Sequence, residues 1–452
     1  MNTASTATPR DQQQLTRLMF RKLMPLLIAA YVLSFLDRTN IALAKHQLDV
    51  DLGISAAAYG LGAGLFFLTY ALCEVPSNLI MHRVGARFWI ARIMVTWGLI
   101  SAAMAFVQGE TSFYVLRLLL GIAEAGLFPG VMLYLTYWFD RQQRARATGY
   151  FLLGVCLANI IGGPLGAALM SMDGLLGWHG WQWMFLLEGL PAVFFAWVVW
   201  QRLPDRPSRA PWLTAEEARS IEQRLADEAD EGAGQGGHSF RQCFTPQILL
   251  AIFVYFCHQI TIYTVIFFLP SIISQYGSLS LMSVGLLTSL PWIAAALGAV
   301  ALPQLANSPQ RSRRLLVCGL LVMAAGLLIA AFSGPVFSLL GFCVAALMFF
   351  VVQSIIFLYP ASRLRGAALA GGLGFVNCCG LLGGFVGPSV MGAIELNTGD
   401  ATNGLKVIAL VLVMAALVAL RLRQGQEDHE PISQGASPNP AQAGVARVSR
   451  QP

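Results

Sequence analysis

Residues 117–130 read Arg117-Leu-Leu-Leu-Gly121-Ile-Ala-Glu124-Ala-Gly126-Leu-Phe-Pro129-Gly130. A cation and an acid stand seven residues apart inside an apolar stretch (113–137) long enough to cross a bilayer as a helix. On a helix of 3.6 residues per turn they share one face, two turns or about 10 Å apart. Gly121, Ala125 and Gly126 keep that face small, with room for a neighbouring backbone or for water. A second apolar stretch carries another such pair, in Tyr31-Val-Leu-Ser-Phe-Leu-Asp37-Arg38-Thr-Asn40-Ile-Ala-Leu-Ala. One charge at a bilayer centre costs about 2.5–3.5 kcal/mol, so four unpaired charges cost on the order of 10 kcal/mol. They are tolerable where they face a wet interior and neutralise one another. A proton-coupled anion carrier needs that arrangement.

The whole chain is built like these two stretches. Of its 452 residues 56% are hydrophobic and 12% charged, about half the charged fraction of a soluble domain. Apolar runs of about 20 residues recur from end to end, which predicts a polytopic all-helical membrane protein. Twelve spans are expected, over 21–44, 56–80, 88–107, 113–137, 146–171, 183–202, 247–273, 282–304, 315–332, 335–359, 366–395 and 403–422. The net charge of +6 suggests no nucleic-acid partner, because the cations lie in short loops between spans. Arg17, Arg21, Lys22, Arg83, Arg87, Arg141, Arg144, Arg146, Arg311, Arg313, Arg314, Arg363, Arg365, Arg421 and Arg423 fall on one side; Lys45 and Lys406 fall in the opposite loops. That asymmetry predicts both termini in the cytoplasm and an inner-membrane location. The first residues carry no removable signal peptide, so the first span itself is expected to direct the chain to the membrane. The eight cysteines have no metal or redox spacing and read as small apolar residues; no metal and no cofactor are expected.

The spans divide six and six. A segment at 1–20 precedes an N-terminal bundle (21–203), a cytoplasmic loop (204–246), a C-terminal bundle (247–422) and a polar tail (423–452) that reads as disordered. The loop opens with Pro204, Pro207 and Pro211, and Thr214 with Glu217 forms a capping box for a charged, solvated helix to about Glu231. Gly232, Gly234, Gly236 and Gly237 make its flexible end. The halves echo each other: Asn159-x-x-Gly162-Gly163-Pro164 in the fifth span has a counterpart in Asn377 followed by Gly383-Gly384-Phe385-Val386-Gly387-Pro388 in the eleventh. Repeats of this kind mark transporters that rock two bundles about a midplane site.

These residues resemble the major facilitator superfamily and, within it, the anion:cation symporter family. The likeness covers about residues 20–422. The two quoted stretches carry it, together with Trp183-x-Phe185-x-x-x-Glu188-Gly189-x-Pro191 in the sixth span. The chain is most similar to the bacterial tartrate and phthalate permease branch. The loop after the second span, Asn78-Leu-Ile-Met-His82-Arg83-Val-Gly85-Ala-Arg87, departs from the superfamily pattern: Asn78 replaces a Gly and His82 an Asp. The resemblance implies twelve helices in two pseudo-symmetric six-helix bundles. It also implies proton sites at the positions of Asp37 and Glu124, anion-binding arginines at Arg38 and Arg117, and substrate contacts at Tyr70 and Asn377.

The residues alone point the same way. Arg38 and Arg117 are planar forks that match a carboxylate bidentately and cannot release a proton. Asp37 and Glu124 are the centrally placed acids on the same two helices, so they are the candidates for proton exchange. With both acids ionised the quartet sums to zero; with both protonated, two positive charges face a mono- or dicarboxylate. A static Arg117–Glu124 pair or a latch between bundles is the competing reading. Glu74, Arg83 and Arg87 read as gating residues, with Glu74 expected to pair with loop arginines; Gly163, Pro164, Gly387 and Pro388 read as helix-packing or gating positions. His258 and Gln259 are candidates for tuning specificity, Glu188 for an N-terminal helix charge. Trp178, Trp181 and Trp183 read as an interfacial belt.

An enzyme is not expected: the zinc, Walker and nucleophile-elbow motifs are missing. The expected activity is proton-coupled uptake of a small organic carboxylate (tartrate-like, phthalate-like or a sugar acid), acting as a monomer in the bilayer with protons and the anion as partners. The alternatives are an exporter of organic anions or drugs and a transporter-like ligand sensor.

Overall fold

The computed structural model describes residues 11–233, 243–364 and 366–424. Among them are twelve helices long and apolar enough to span a membrane: Gln12–Leu52, Ala56–Val84, Ala86–Phe106, Glu110–Thr136, Arg141–Met170, Gly180–Arg202, Pro246–Ser274, Leu281–Leu305, Pro309–Phe332, Pro335–Arg363, Gly371–Thr398 and Thr402–Ala419. The expected spans recur with ends shifted by a few residues, except that the first runs well beyond its apolar core on both sides. Local chemistry fixes many of the ends. Ser55, Asp140, Ser280 and Ser308 each accept a backbone N–H of the first turn of their helix, and Gly53 closes the first span in the left-handed conformation.

Two spans are divided into two helices next to their charges. The first consists of helices Gln12–Thr39 and Ile41–Leu52, which join at Asn40, whose backbone stays in the right-handed helical region. The fourth breaks just after Glu124, where Gly126 takes a φ of +94°. Gly126 is therefore a hinge position and not only a small-face residue. The Ser77 hydroxyl donates to the Ala125 carbonyl at 2.7 Å, satisfying an acceptor released by the break, and Trp89 Nε1 donates to Ser77 at 2.9 Å.

The bundles meet along two equivalent seams, the second span on the eleventh and the fifth on the eighth. Exchanging the halves, six added to the second and six taken from the eleventh, turns the first pair into the second. At the half of the molecule away from the chain termini, backbone lies on backbone. A Cβ at Gly60 would strike the Pro388 carbonyl, one at Gly392 the Ala56 carbonyl, and one at Gly163 the Gly285 carbonyl. Gly387 is packed in the same way on Ile260 of the seventh span. Small residues let helices close where no hydrophobic force between them is available.

The helix Ala215–Ala233 lies between the sixth and seventh spans. Its capping box forms as expected: Thr214 N donates to Glu217 at 2.9 Å and Glu217 N to the Thr214 hydroxyl at 3.2 Å. It is docked and not freely solvated, with Ala218 and Ile221 buried and Glu228 accepting from Arg141 N at 3.0 Å. Gly232 belongs to this helix; Gly234, Gly236 and Gly237, the first ten residues and the tail from residue 425 lie outside the described residues.

Candidate functional site

The two charged stretches meet through Arg38 and Glu124, which are 2.5 Å apart and both buried. Ser34, one turn before Arg38, donates to the same Glu124 oxygen. The Arg38 guanidinium lies among aromatic faces, 4.5 Å from the Phe35 ring centre, 4.9 Å from Phe66 and 5.2 Å from Tyr70. Rings supply a weakly attractive surface for a cation without neutralising it. Glu124 is therefore its counter-charge.

The expected proximity of Arg117 to Glu124 does not become a pair. Arg117 donates from Nε to the Gly62 carbonyl at 3.2 Å and from Nη2 to the Ala63 carbonyl at 3.3 Å. It also stands 4.9 Å from the other face of the problem, the Phe66 ring that Arg38 touches. Sharing a helix face put Arg117 and Glu124 on one side, but the two-turn separation let a partner from the first span reach Glu124 instead. Asp37 has no arginine partner. It accepts from the Ser101 hydroxyl of the third span, and the Asn40 amide approaches it at 3.5 Å.

Between the bundles is a small cavity lined by Tyr31, Phe35, Arg38 and Tyr70 on one side and Tyr255, Gln259, Tyr263, Gln353 and Asn377 on the other. Its open volume is about 60 Å³, room for about four to six water molecules. Of the residues expected at a substrate site, Arg38, Tyr70 and Asn377 border it; Arg117 does not, being wholly buried behind Phe66. Tyr31, Tyr255, Tyr263 and Gln353 were missed by sequence reasoning, since aromatic and amide residues inside apolar spans are ordinary packing residues until a cavity is known.

A polar chain crosses the cavity floor. Gln259 Nε2 donates to the Tyr255 hydroxyl at 3.0 Å, which donates to Asn377 Oδ1 at 3.3 Å, and Asn377 Nδ2 donates to Glu74 at 3.0 Å. Glu74 thus links the second span to the eleventh and does not pair with loop arginines. Arg83 is exposed; Arg87 donates to the Trp200 carbonyl and, through its backbone, to Asp205 at 2.9 Å, holding the loop beside the sixth span. His258 faces away from the cavity, with Nε2 2.9 Å from the Phe349 carbonyl. Glu188 is not at a helix start: it lies two turns inside the span and is buried. Residues His179 and Gln182 form the cap there. Trp181 is also inside, donating to Asp51 at 2.9 Å, while the Trp178 and Trp183 rings meet at a tilt with centres 5.4 Å apart. Pro164 sits within the fifth helix beside the Gly163 contact.

An ion pair with Lys45 buried and Glu395 partly buried joins the bundles. Lys45, expected in a loop, lies in the second half of the first span, 2.5 Å from Glu395 and 3.2 Å from the Ser271 hydroxyl. Its partner is 350 residues away in sequence, which is why spacing gave no hint. Removing one member of a fully buried pair costs about 3–5 kcal/mol, an upper bound for this partly buried one. Lys45→Glu is therefore expected to abolish transport by forcing this seam apart, and Lys45→Glu/Glu395→Lys to restore it; exchange assays on the single and double variants measure both.

Residues 27–388 match the model of the Major Facilitator Superfamily. A protein of Agrobacterium vitis provisionally named a tartrate transporter is 42% identical over 414 residues, covering 91% of this chain and 92% of that protein. A quinolone resistance transporter of Acinetobacter baumannii is 37% identical, covering 88% and 92%. The partially occluded, inward-open structure of the xylose transporter XylE from E. coli superposes with a TM-score of 0.68 at 15% identity, covering 88% of this chain and 98% of that one. The chain belongs to the Major Facilitator Superfamily and is a multi-pass membrane transporter.

Proposed function

We propose that this member of the Major Facilitator Superfamily takes up a small organic carboxylate together with protons by alternating access. The observation that carries the reading is the Arg38–Glu124 pair at the wall of a cavity bordered by both bundles. An arginine held by an acid is a switchable anion site. While Glu124 is ionised it occupies the guanidinium; once it is protonated, the fork is free for a substrate carboxylate. Proton and anion then bind as one set, which is what symport requires. The wall residues Tyr70, Tyr255, Gln259 and Asn377 are suited to hydroxyl or second-carboxylate groups on the substrate, and Asp37 to a second proton.

Alternating access follows from the interrupted fourth span. The break at Gly126 stands beside Glu124, so a change in the pair's charge acts where the fourth span is able to move. Arg117, bound to second-span carbonyls, supplies a fixed positive field behind Phe66 and no direct substrate contact. The arginine-rich loops support cytoplasmic termini and an inner-membrane location. The Agrobacterium vitis relative supports a tartrate-like substrate. The aromatic wall and the quinolone resistance relative support a second reading, export of aromatic acids, since a quinolone is itself an aromatic carboxylic acid.

Uptake into proteoliposomes of labelled tartrate, phthalate, hydroxyphenylacetate and a hexonate, with and without an inward proton gradient, tests both. Gradient-driven accumulation of one member is the expected result. Accumulation of none, with efflux of aromatic acids on reversing the gradient, favours the second reading.

A further inference from the structure

Six charged side chains fill the membrane interior around the site: the carboxyls of Asp37, Glu74, Glu124 and Glu188, and the guanidiniums of Arg38 and Arg117. Every one is at least 95% buried. Four acids against two cations leave an excess of two negative charges, each costing several kcal/mol in this setting if ionised and unpaired. Two of the acids must therefore hold protons when the site is empty. Glu124 has Arg38, and Glu74 has the Asn377 amide. Glu74, Asp37 and Glu188 all lack a cation partner among the described residues, and Asp37 and Glu188 also lack an amide donor as near as the 3.0 Å one that Glu74 has.

Glu188 is the more isolated. Both of its carboxyl oxygens are buried without a hydrogen-bond partner, as are Asp37 Oδ2 and Asn40 Oδ1. These unpartnered oxygens belong to one cluster. The Asn40 side chain neighbours Glu188 without a hydrogen bond of good geometry, and its amide approaches Asp37 at 3.5 Å. The remaining neighbours carry no charge. From the fifth span a Cβ at Gly166 would stand 3.6 Å from Glu188 Oε1, and the third span presents Gly98, Ser101 and Ala102 beside Gly189. Glu124 and Arg117 of the fourth span act on this cluster through Asp37. Asn40 is also the residue at which the two helical segments of the first span join.

We propose, on the premise of proton symport, that Glu188 is a third proton-binding site whose occupancy is tied to that of Asp37 across Asn40. Two acids on either side of one neutral amide cannot both be ionised in a dry interior, so they titrate as a pair. A shift of the first span against the sixth, on which it packs, alters the distance between them and with it the number of protons the pair holds. The pair thus loads and releases protons as the first span moves, separately from the Arg38–Glu124 switch.

The test is the proton count. In proteoliposomes with the membrane potential clamped at zero, the logarithm of the accumulation ratio rises with the pH gradient with a slope equal to the coupled protons, a tenfold ratio per proton per pH unit. Glu188→Gln is expected to lower that slope by one, a tenfold loss of accumulation at one pH unit, while substrate counterflow persists. Glu188→Asp, which keeps a carboxyl, is expected to retain the wild-type slope. An unchanged slope in Glu188→Gln overturns the inference and makes Glu188 a permanently neutral packing group. A wild-type protein without gradient-driven accumulation overturns the symport reading as well. Where Glu188→Gln fails to insert, Asn40→Leu decides: both acids remain and the bridge is gone. A displaced pH profile of accumulation is then expected, and an unmoved profile rejects the coupling.

Discussion

Glu124→Gln is expected to retain substrate exchange and lose uphill accumulation altogether. Glutamine keeps the side-chain shape and an oxygen that accepts from Ser34 and Arg38, the two donors seen at Glu124 Oε1. What disappears is the charge. Arg38 then carries a positive charge with no counter-ion in every state except when a substrate carboxylate is bound. The loaded carrier is neutralised by its substrate and reorients; the empty one must move an unpaired guanidinium through a dry core, at a cost of several kcal/mol. Exchange uses only the loaded form, whereas net uptake needs the empty form to return. Counterflow near the wild-type rate, with an accumulation ratio that stays near 1 over a one-unit pH gradient, is the predicted outcome. A wild-type carrier gains about tenfold per coupled proton under the same gradient. Accumulation at the wild-type level in Glu124→Gln sinks the switchable-pair mechanism and leaves the fold untouched.

The fold was legible because span length, loop charge and the six-plus-six division are properties of sequence segments that need no knowledge of neighbours. The buried charges were legible for the same reason: an ionisable residue inside an apolar span is costly wherever it points, so Asp37, Arg38, Arg117 and Glu124 stood out. Their partners did not. Glu124 takes Arg38 from 86 residues away, and Lys45 takes Glu395 from 350 away; helical spacing reports faces, never which helix is opposite. Arg117 takes backbone carbonyls of the second span on the same account. Its two backbone acceptors at Gly62 and Ala63 leave no trace in sequence beyond two small residues. Glu188 was misread as an end charge because the helix start was set three residues late, moving a buried acid towards the surface.

That difference between the two arginines is open to measurement. Arg38→Lys is expected to weaken substrate binding about 10- to 100-fold, and Arg117→Lys to change it much less. A lysine at 38 keeps the charge but has a single point donor, so it cannot hold Glu124 and later present a fork to a carboxylate. Losing one charge-assisted hydrogen bond of about 1.5–3 kcal/mol corresponds to a factor of that size. The ammonium is also more strongly hydrated than a guanidinium, which disfavours it among Phe35, Phe66 and Tyr70. Arg117 faces no cavity, and its demands are two carbonyls at 3.2 and 3.3 Å. An ammonium within reach of one of them preserves the charge, and the penalty falls on stability and assembly of the second and fourth spans. Binding to detergent-solubilised protein, measured beside its thermal stability, separates the two effects. Equal losses of affinity in both variants would return Arg117 to the substrate site and imply a cavity that reaches past Phe66. A loss confined to Arg38→Lys, with a lowered melting temperature in Arg117→Lys, assigns anion binding to one arginine and helix packing to the other.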